Sequence, residues 1–398
     1  MSRFFLADEE EVLEGKTTDI YFARTLEILR ARGMTEHRAV AEYTTGSLPE
    51  DWPWAIFCGL EETLTLLEGK DVNLWGLPEG TLFRPRDMRG YRLPVMTIEG
   101  PYFEYCVFET PTLGFICHSS GVATMAARCR KAAQDRSVIA FGIRRMNPFL
   151  TPSLDRASFI GGCDGVSSIL GAETIGEEPR GTMPHALMIM HGDEAEAFRA
   201  FDEVIDPEVP RVALVDTYSD EKFASLIACE NVEDLYGVRL DTPGSRKGSF
   251  PELIREVRWE MDVRGYGHVK ILVSGGLDEH DIFDLQGVPV DGFGVGTSIT
   301  NAPTVDFAMD IVEREGRPVA KRGKLGGRKE VYRCPRCMEC MVVPHGSEIP
   351  ECPHCKGGTQ PLYRKLLDGG ERVEEPLPPR ELREKVLDQL SQVNLEMD

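Results

Sequence analysis

Five apolar runs recur along the middle of the chain: SVIAFGI at 137–143, RVALVDTY at 211–218, LYGVRLD at 235–241, VKILVSGG at 269–276 and DGFGVGT at 291–297. The stretches between the later runs have the periodicity of amphipathic helices, as in PELIREVRWEMDV. Continuous apolar strands that alternate with helices predict buried parallel strands in an α/β layer or barrel. Their spacing is compatible with a doubly wound sheet and with a β/α barrel.

The residues directly after these runs favour the barrel. They are polar or glycine: Arg144 and Arg145, Asp216, Asp241, Ser274-Gly275-Gly276 and Gly296-Thr297. The carboxyl ends of parallel strands converge on one mouth of a barrel, where glycine turns after the last strands commonly hold a phosphate. No GxGxxG follows a strand and no GxxxxGK[ST] is present, so the dinucleotide and P-loop interpretations lose support.

Composition excludes several classes of protein. The chain has 398 residues, of which 41% are hydrophobic, enough for two or three domains with real cores. Its 45 basic and 66 acidic residues give a net charge of −21, which disfavours general binding to nucleic acid or anionic membranes. With no long apolar stretch and no secretory signal at the start, the sequence predicts a cytoplasmic protein.

The strongest local signal is YRCPRCMECMVVPHGSEIPECPHCKGG at 332–358. Two C-P-x-C knuckles place pairs of thiolates on tight turns, and four such thiolates close a tetrahedral structural Zn²⁺ site. Accidental thiols are the alternative. The predicted zinc ligands are Cys334, Cys337, Cys352 and Cys355, with Cys340, His345 and His354 in reserve.

Several strand-end residues have both a structural and a functional interpretation. Arg144 and Arg145 are either a solvated face or a clamp for phosphate or carboxylate. Asp216 and Asp241 are either helix N-caps or ligands. Other candidates have a structural default: a cap or core residue for His185, core packing for Phe141 and an N-cap for Asp164.

Changes in composition predict four consecutive parts: an N-terminal α/β domain at 1–115, a β/α barrel at 116–312, a basic segment with the zinc module at 313–370, and a helical tail at 371–398. The tail carries an apolar stripe that should dock on the body or on a second chain. Its members are Leu382, Val386, Leu390 and Val393. Small residues in the helical pattern from Glu109 predict close packing there.

Together, the motifs resemble those of a known family. TTDIYF at 17–22 is similar to a TDxY motif, and ETPTLGFICHSSGVAT begins at Glu109. FGIRRMNP, GTMPHA, VRLDTPGS, SGGLDE and GVGTS then follow in order up to about residue 300. This order resembles the type II phosphoribosyltransferases that make pyridine mononucleotides, and the cysteine module resembles the archaeal-type nicotinate phosphoribosyltransferases.

The resemblance implies an incomplete β/α (TIM-like) barrel, an N-terminal α/β sandwich-like domain and a small C-terminal zinc-knuckle module. It implies that nicotinate and 5-phosphoribosyl 1-diphosphate give nicotinate mononucleotide and diphosphate with Mg²⁺, as a step of NAD salvage. It also implies a homodimer or higher homo-oligomer with shared active sites. His185 matches a histidine that some members phosphorylate from ATP.

The resemblance assigns further roles residue by residue. Nicotinate would be bound by Tyr21 of a partner subunit, Phe141, Thr182 and Arg239. The phosphoribosyl diphosphate would be bound by Arg144, Arg145, Ser274, Gly275, Gly276, Gly296 and Thr297, with Asp216 and Asp241 near the ribose hydroxyls and Mg²⁺. Asp164 resembles an acidic residue that binds the amide in nicotinamide-specific relatives; a protonated or outward-turned carboxyl would remove its conflict with nicotinate.

Three alternatives stay open. Nicotinamide and quinolinate phosphoribosyltransferases share the same chemistry, although quinolinate requires a denser cluster of basic groups. A zinc-ribbon protein that binds nucleic acid through the basic run KRGKLGGRK at 321–329 is the alternative from a different class.

Overall fold

The computed structural model describes residues 4–395. Within that range, one compact unit (unit 1) combines the chain up to Thr124 with the segment from Pro303 onward, and a second (unit 2) runs from Met125 to Ala302. These boundaries differ from the four consecutive parts that the sequence predicted, at 1–115, 116–312, 313–370 and 371–398. The reason is a strand pairing between distant segments, which no local pattern reports.

The helices are α1 (Glu9–Leu13), α2 (Ile20–Ala31), α3 (Leu60–Leu67), α4 (Tyr102–Tyr105), α5 (Glu109–Ala133), α6 (Thr151–Ile160), α7 (Ile169–Ile175), α8 (His185–His191), α9 (Glu194–Val204), α10 (Glu221–Asn231), α11 (Phe250–Asp262), α12 (Glu279–Asp284), α13 (Thr297–Thr300) and α14 (Pro379–Leu390). Short 3₁₀ turns lie at Pro49–Asp51, Cys106–Phe108, Ile143–Arg145 and Pro148–Leu150. No helix among the described residues is long and apolar enough to cross a membrane.

The strands are β1 (Arg38–Thr45), β2 (Ala55–Ile56), β3 (Asn73–Gly76), β4 (Leu82–Phe83), β5 (Pro94–Pro101), β6 (Ser137–Ala140), β7 (Gly165–Val166), β8 (Arg211–Leu214), β9 (Leu235–Leu240), β10 (Lys270–Val273), β11 (Gly292–Val295), β12 (Phe307–Arg314), β13 (Arg317–Pro318), β14 (Lys329–Arg333), β15 (Cys340–Pro344), β16 (Gln360–Pro361), β17 (Arg364–Asp368) and β18 (Glu371–Arg372).

Unit 1 is built on a seven-stranded antiparallel sheet in the order β13-β12-β1-β5-β3-β17-β18. Its centre is β1, which pairs with β5 on one side and with β12 on the other, from Ala39 opposite Arg314 to Thr45 opposite Phe307. All residues of β1 after Arg38 are buried. Because β12 and β17 come from the end of the chain, this sheet joins the two chain segments of the unit.

The C-terminal helix docks on unit 1, as its apolar stripe predicted. Leu382, Val386 and Leu390 are buried on one face of α14. The Gln389 side-chain amide accepts a hydrogen bond from the Leu82 backbone N–H at 2.9 Å and donates one to the Gly80 carbonyl at 2.9 Å. The stripe is thus covered by the chain itself.

Unit 2 contains a six-stranded parallel sheet in the order β7-β6-β11-β10-β9-β8. Each neighbouring pair is parallel, and helices α6 to α12 connect the strands. The predicted incomplete β/α barrel is therefore confirmed as a parallel half-barrel, and the antiparallel sheet of unit 1 completes the predicted α/β class. All the carboxyl ends of the strands lie along one edge of this sheet.

Close backbone packing of α5 within unit 1 explains its small residues. A Cβ atom built on Gly121 would lie 2.3 Å from the Pro303 carbonyl oxygen, too close for any side chain. On the same helix, a Cβ atom on Gly114 would meet no heavy atom within 4 Å.

These two glycines make a matched pair of substitutions. Gly121→Ala should destabilise the protein by about 1–3 kcal/mol through overpacking. Gly114→Ala should stabilise it by up to about 1 kcal/mol, because alanine is the better helix former. Urea unfolding of both variants measures the difference, and equal stabilities would contradict the close approach at Pro303.

Candidate active site and candidate metal centre

The carboxyl edge of the parallel sheet carries most of the predicted site residues. Phe141 follows β6, Asp216 lies two residues beyond β8, and Asp241 follows β9. The turn Ser274-Gly275-Gly276 follows β10, and Gly296-Thr297 follows β11. Parallel strands bring these positions to one edge, so residues as much as 150 positions apart in sequence become neighbours.

The turn after β10 has a conformation that requires glycine. Gly275 and Gly276 have φ angles of +96° and +73°, in the left-handed region. The Ser274 hydroxyl donates a hydrogen bond to Asp241 Oδ1 at 2.7 Å. Asp241 therefore braces this turn and does not cap a helix, since α11 begins after Ser249. Exposed backbone groups of such a turn are suited to an anion.

His185 and Asp216 form the next pair along the edge. His185 Nε2 lies 3.2 Å from Asp216 Oδ2, with the imidazole 40% exposed and the carboxylate side chain only 2% exposed. Burial raises the pKa of Asp216, while the hydrogen bond and charge of His185 act in the opposite direction. The other oxygen, Asp216 Oδ1, is buried without a partner. Asp216 is thus not a helix cap; the cap of α10 is Asp220.

Arg239 is a half-buried cation that the surrounding protein only partly compensates. Its Nη2 donates a hydrogen bond to the Met183 carbonyl at 3.2 Å, but its Nε is buried and has no hydrogen-bond partner among residues 4–395. Burial lowers the pKa of Arg239, and the charges of Asp241 and Asp216 act against that shift. The guanidinium carbon lies 6.0 Å from the centre of the Phe141 ring.

Phe141 does not fill the apolar core. Its ring lies over Gly294, where a Cβ atom would approach the ring to 2.5 Å. The ring is half-buried and stands beside Arg239, at the edge of the sheet. An aromatic face next to a cation is suited to a flat anionic ligand.

The remaining predicted contacts of this edge are placed as follows. Arg144 and Arg145 lie in a 3₁₀ turn after β6, so they do not alternate as in a strand, and both are exposed. The positive charge of Arg144 contributes to lowering the pKa of Arg239. Thr182 is half-buried just before α8, and its hydroxyl lies 3.4 Å from the carbonyl of Met183, the residue that Arg239 contacts.

Asp164 is placed differently from both of its sequence interpretations. It precedes β7 and its Oδ2 accepts hydrogen bonds from Arg130 at 2.8 Å and from the Val138 backbone N–H at 2.8 Å. Val138 is three residues, or roughly 10 Å of extended strand, before Phe141. The carboxylate therefore points to the amino-terminal side of the strands. This placement does not support the predicted contact with the pyridine ring, which stays a prediction. The N-cap interpretation is wrong, because Ser168 caps α7.

Tyr21 belongs to unit 1 and is 56% exposed on α2. Its hydroxyl donates to Asp19 Oδ2 at 3.3 Å, and the Thr110 hydroxyl donates to the same oxygen at 3.0 Å. Within its own unit, the tyrosine is available to another molecule.

Sequence reasoning missed two polar residues of this region. Lys247 donates from Nζ to the Gly275 carbonyl at 3.1 Å, and Thr217 has a buried hydroxyl without a partner. Lys247 lies in the long loop between β9 and α11, so its position after a strand end was the available signal. Thr217 directly follows Asp216 and carried the same signal.

The candidate metal centre is the cluster of four predicted cysteines in unit 1. Their sulfur atoms all lie within 4.8 Å of one another. Two of the separations are 3.4 Å, between Cys334 and Cys355, and 3.5 Å, between Cys337 and Cys352. A tetrahedral zinc with Zn–S bonds of about 2.3 Å needs sulfurs about 3.8 Å apart, so the donor set fits zinc.

The reserve ligands do not join this cluster. Cys340 Sγ is 3.5 Å from Arg333 Nε, and His345 Nδ1 is 2.8 Å from Glu330. His354 is exposed. The module formed by β14 to β16 has a small apolar core, in which Tyr332, Met341 and Val343 cluster. Such a small core depends on its metal for order.

The basic run at 321–329 is largely paired within unit 1. Lys321 and Lys324 contact Asp310 at 2.5 and 2.6 Å, and Lys329 contacts Glu42 at 2.7 Å. Arg328 lies 3.3 Å from Glu99. The run thus forms ion pairs with carboxylates of the antiparallel sheet, which weakens the nucleic-acid interpretation.

Comparison with known proteins gives a consistent result. A family model described as quinolinate phosphoribosyl transferase, N-terminal domain, matches residues 19–120, and the corresponding C-terminal domain model matches residues 122–310. A nicotinate phosphoribosyltransferase of Mycobacterium tuberculosis is 34% identical over 68% of this chain. One of Bacillus subtilis is 27% identical over 79% of this chain and 72% of its own. The chain spans 62% of the Mycobacterium relative's length.

Two solved structures are similar in fold. The structure of nicotinate-nucleotide pyrophosphorylase from Pyrococcus furiosus has a TM-score of 0.95 and 50% identity over the whole of both chains. Human nicotinic acid phosphoribosyltransferase has a TM-score of 0.74 at 20% identity, covering 95% of this chain and 94% of its own. The human structure supports the fold alone.

A cysteine pair tests the metal centre. Cys337→Ser should reduce bound zinc well below one equivalent per chain, because it removes one of four thiolates. Cys340→Ser should retain a full equivalent. Zinc analysis of the purified proteins measures both, and hydrogen exchange should show loosening confined to 332–358 in the first variant. Zinc loss from the Cys340 variant, or global unfolding of the Cys337 variant, would contradict the account.

Asp164→Asn tests the contact between Asp164 and Arg130. Arg130 is only 9% exposed, so loss of its charged partner should cost about 1.5–3 kcal/mol of stability. Urea unfolding measures this cost. Asp284→Asn, at an exposed position at the end of α12, is the control and should leave stability unchanged. An Asp164→Asn variant as stable as the wild type would contradict the contact with Arg130.

Proposed function

The chain belongs to the nicotinate phosphoribosyltransferase family, and from that premise we propose that it joins nicotinate to the ribose of 5-phosphoribosyl 1-diphosphate. The products are nicotinate mononucleotide and diphosphate. This is a reaction of NAD salvage.

The observation that carries this proposal is the state of Arg239. The side chain is half-buried, and its buried Nε has no hydrogen-bond partner among residues 4–395, which costs free energy until an acceptor reaches it. The Phe141 ring beside it offers a flat apolar face at a distance of 6.0 Å. Nicotinate has both complementary features, an aromatic ring and a carboxylate. The neutral amide of nicotinamide would add no negative charge beside this cation.

In the proposed reaction, the pyridine nitrogen attacks C1 of the ribose. The new N–C1 bond forms as the C1–O bond to diphosphate breaks, and its electron pair leaves on the diphosphate oxygen. Phe141 and Arg239 hold the ring in line, which removes much of the entropic cost of the encounter. The 5-phosphate would rest on the turns at Gly275-Gly276 and Gly296-Thr297.

The roles of the remaining side chains follow from the charges that develop during the reaction. Diphosphate gains negative charge as it leaves, and the exposed Arg144 and Arg145 are suited to bind it. The ribose gains positive charge, which the carboxylates of Asp216 and Asp241 favour. Ser274 keeps Asp241 oriented, at 2.7 Å.

Asp216 and Asp241 would hold Mg²⁺ together with the substrate. The ion would neutralise negative charge on the diphosphate. The unpartnered Asp216 Oδ1 is a donor of the type that this ion prefers. His185, 40% exposed and oriented by Asp216, is suited to accept a phosphoryl group from ATP. We include such coupling in the proposal.

We also propose a homodimer with shared sites and a cytoplasmic location. Tyr21 is exposed within unit 1, so it is suited to reach the ring site of a partner subunit. None of the eleven cysteines, all of which lie within residues 4–395, forms a disulfide, which is compatible with a reducing compartment.

Arg239 gives the direct mutational test. Arg239→Ala should lower kcat/KM for nicotinate by about 10- to 150-fold, since a hydrogen bond to a charged group is worth about 1.5–3 kcal/mol. The KM for 5-phosphoribosyl 1-diphosphate and the zinc content should not change. Arg239→Lys should retain part of the activity, because it keeps the charge but loses the planar fork.

The matched control is Arg255→Ala, an exposed arginine on α11 paired with Glu252. It should have wild-type kinetics. An Arg239→Ala enzyme with unchanged kcat/KM for nicotinate would overturn the assignment of the carboxylate site.

A further inference from the structure

Unit 1 contains a cavity of about 130 Å³, lined by both apolar and charged residues, that the proposed reaction does not use. It is bounded by β1, β12, the turn from Arg86 to Arg92 and the loop that precedes β14. The lining residues that matter here are Glu42, Thr44, Arg86, Arg92, Asp310 and Lys324. A cavity of this volume has room for several waters or for one small anion with water.

The acidic side chains of the cavity are already neutralised. Glu42 is 2% exposed and pairs with Lys329, while Asp310 is 6% exposed and pairs with Lys321 and Lys324. Burial opposes ionisation of Asp310, but the hydrogen bonds and charges of Lys321 and Lys324 outweigh it and lower the pKa of Asp310. These carboxylates therefore have little charge left to offer a cation.

Two arginines that line the cavity have no such pairing; Arg86 is exposed and Arg92 is half-buried. Their backbones are directly opposite each other in an antiparallel bridge, where like charges destabilise the pair. Arg86 donates from Nη1 to the Gly90 carbonyl at 2.9 Å and from Nη2 to the Gly46 carbonyl at 3.5 Å, both acceptors without charge. Among residues 4–395, neither guanidinium has a carboxylate oxygen within 4 Å. Two cations beside one cavity without a carboxylate partner are suited to an anion.

Thr44 supplies an independent observation. The residue is 8% exposed and lines the cavity, and its buried hydroxyl oxygen has no hydrogen-bond partner among residues 4–395. A buried hydroxyl without a partner costs free energy, which a ligand oxygen would offset by accepting a hydrogen bond from it.

We propose that this cavity binds a small tetrahedral oxyanion, of which inorganic phosphate is the representative. The guanidiniums of Arg86 and Arg92 and the hydroxyl of Thr44 donate to its oxygens. Lys324, held by Asp310, adds positive charge to the rim. This site is separate in sequence from the glycine turns of unit 2 that we propose for the substrate phosphate.

The test compares the full-length wild type with Arg86→Gln/Arg92→Gln. Phosphate is titrated calorimetrically at pH 7.5 and constant ionic strength, with chloride as the reference anion. The double variant should bind one equivalent of phosphate fewer per chain. Arg317→Gln, which removes an exposed arginine on the edge strand β13, is the control and should bind like the wild type. Equal stoichiometry in the wild type and the double variant would overturn the proposal.

A second measurement locates the anion and covers the case of a double variant that does not fold. Crystals of the wild type soaked in selenate should show an anomalous peak between Arg86 and Arg92. Thr44→Val, which keeps the shape of the side chain, should weaken phosphate binding at this site several-fold. Absence of the anomalous peak from the wild type would overturn the proposal.

Discussion

The parallel register of the six strands in unit 2 is the constraint on which the proposed site depends. It places the turn after β10 beside the end of β9, so that Ser274 reaches Asp241 at 2.7 Å. It also brings Arg239 to within 6.0 Å of the centre of the Phe141 ring, although β6 and β9 are nearly 100 residues apart in sequence. These side chains are neighbours because the order of the strands in the sheet brings them together, and not because a local sequence motif does.

Two arginines in this unit illustrate the difference between stability and function. Arg130 is buried and neutralised by Asp164 at 2.8 Å on the amino-terminal side of the strands, which satisfies its charge within the fold. Arg239 is half-buried at the carboxyl-terminal side, and among residues 4–395 its Nε has no hydrogen-bond partner. A fold tolerates a buried donor without a partner only at some cost, and such groups are therefore found mainly where a ligand completes them.

Much of this arrangement could be predicted from the sequence, because it rests on local patterns. The apolar runs predicted the parallel strands, and the residues after these runs predicted which edge of the sheet carries the candidate site. The spacing of two C-P-x-C knuckles predicted the cysteine cluster. The pairing of β1 with β12 joins residues about 270 positions apart and leaves no periodic signal, so the predicted domain boundaries missed it. The same holds for Asp164, whose partner Arg130 is on another element.

The most direct measurement is diphosphate release from 5-phosphoribosyl 1-diphosphate and Mg²⁺, with nicotinate, nicotinamide or quinolinate supplied in parallel and ATP present or absent. The account predicts release with nicotinate and little with the other two, because Arg239 requires one carboxylate beside the ring. Stimulation by ATP would support the proposed transfer of a phosphoryl group from ATP to His185. Release with nicotinamide alone, or with none of the three, would contradict the proposed function.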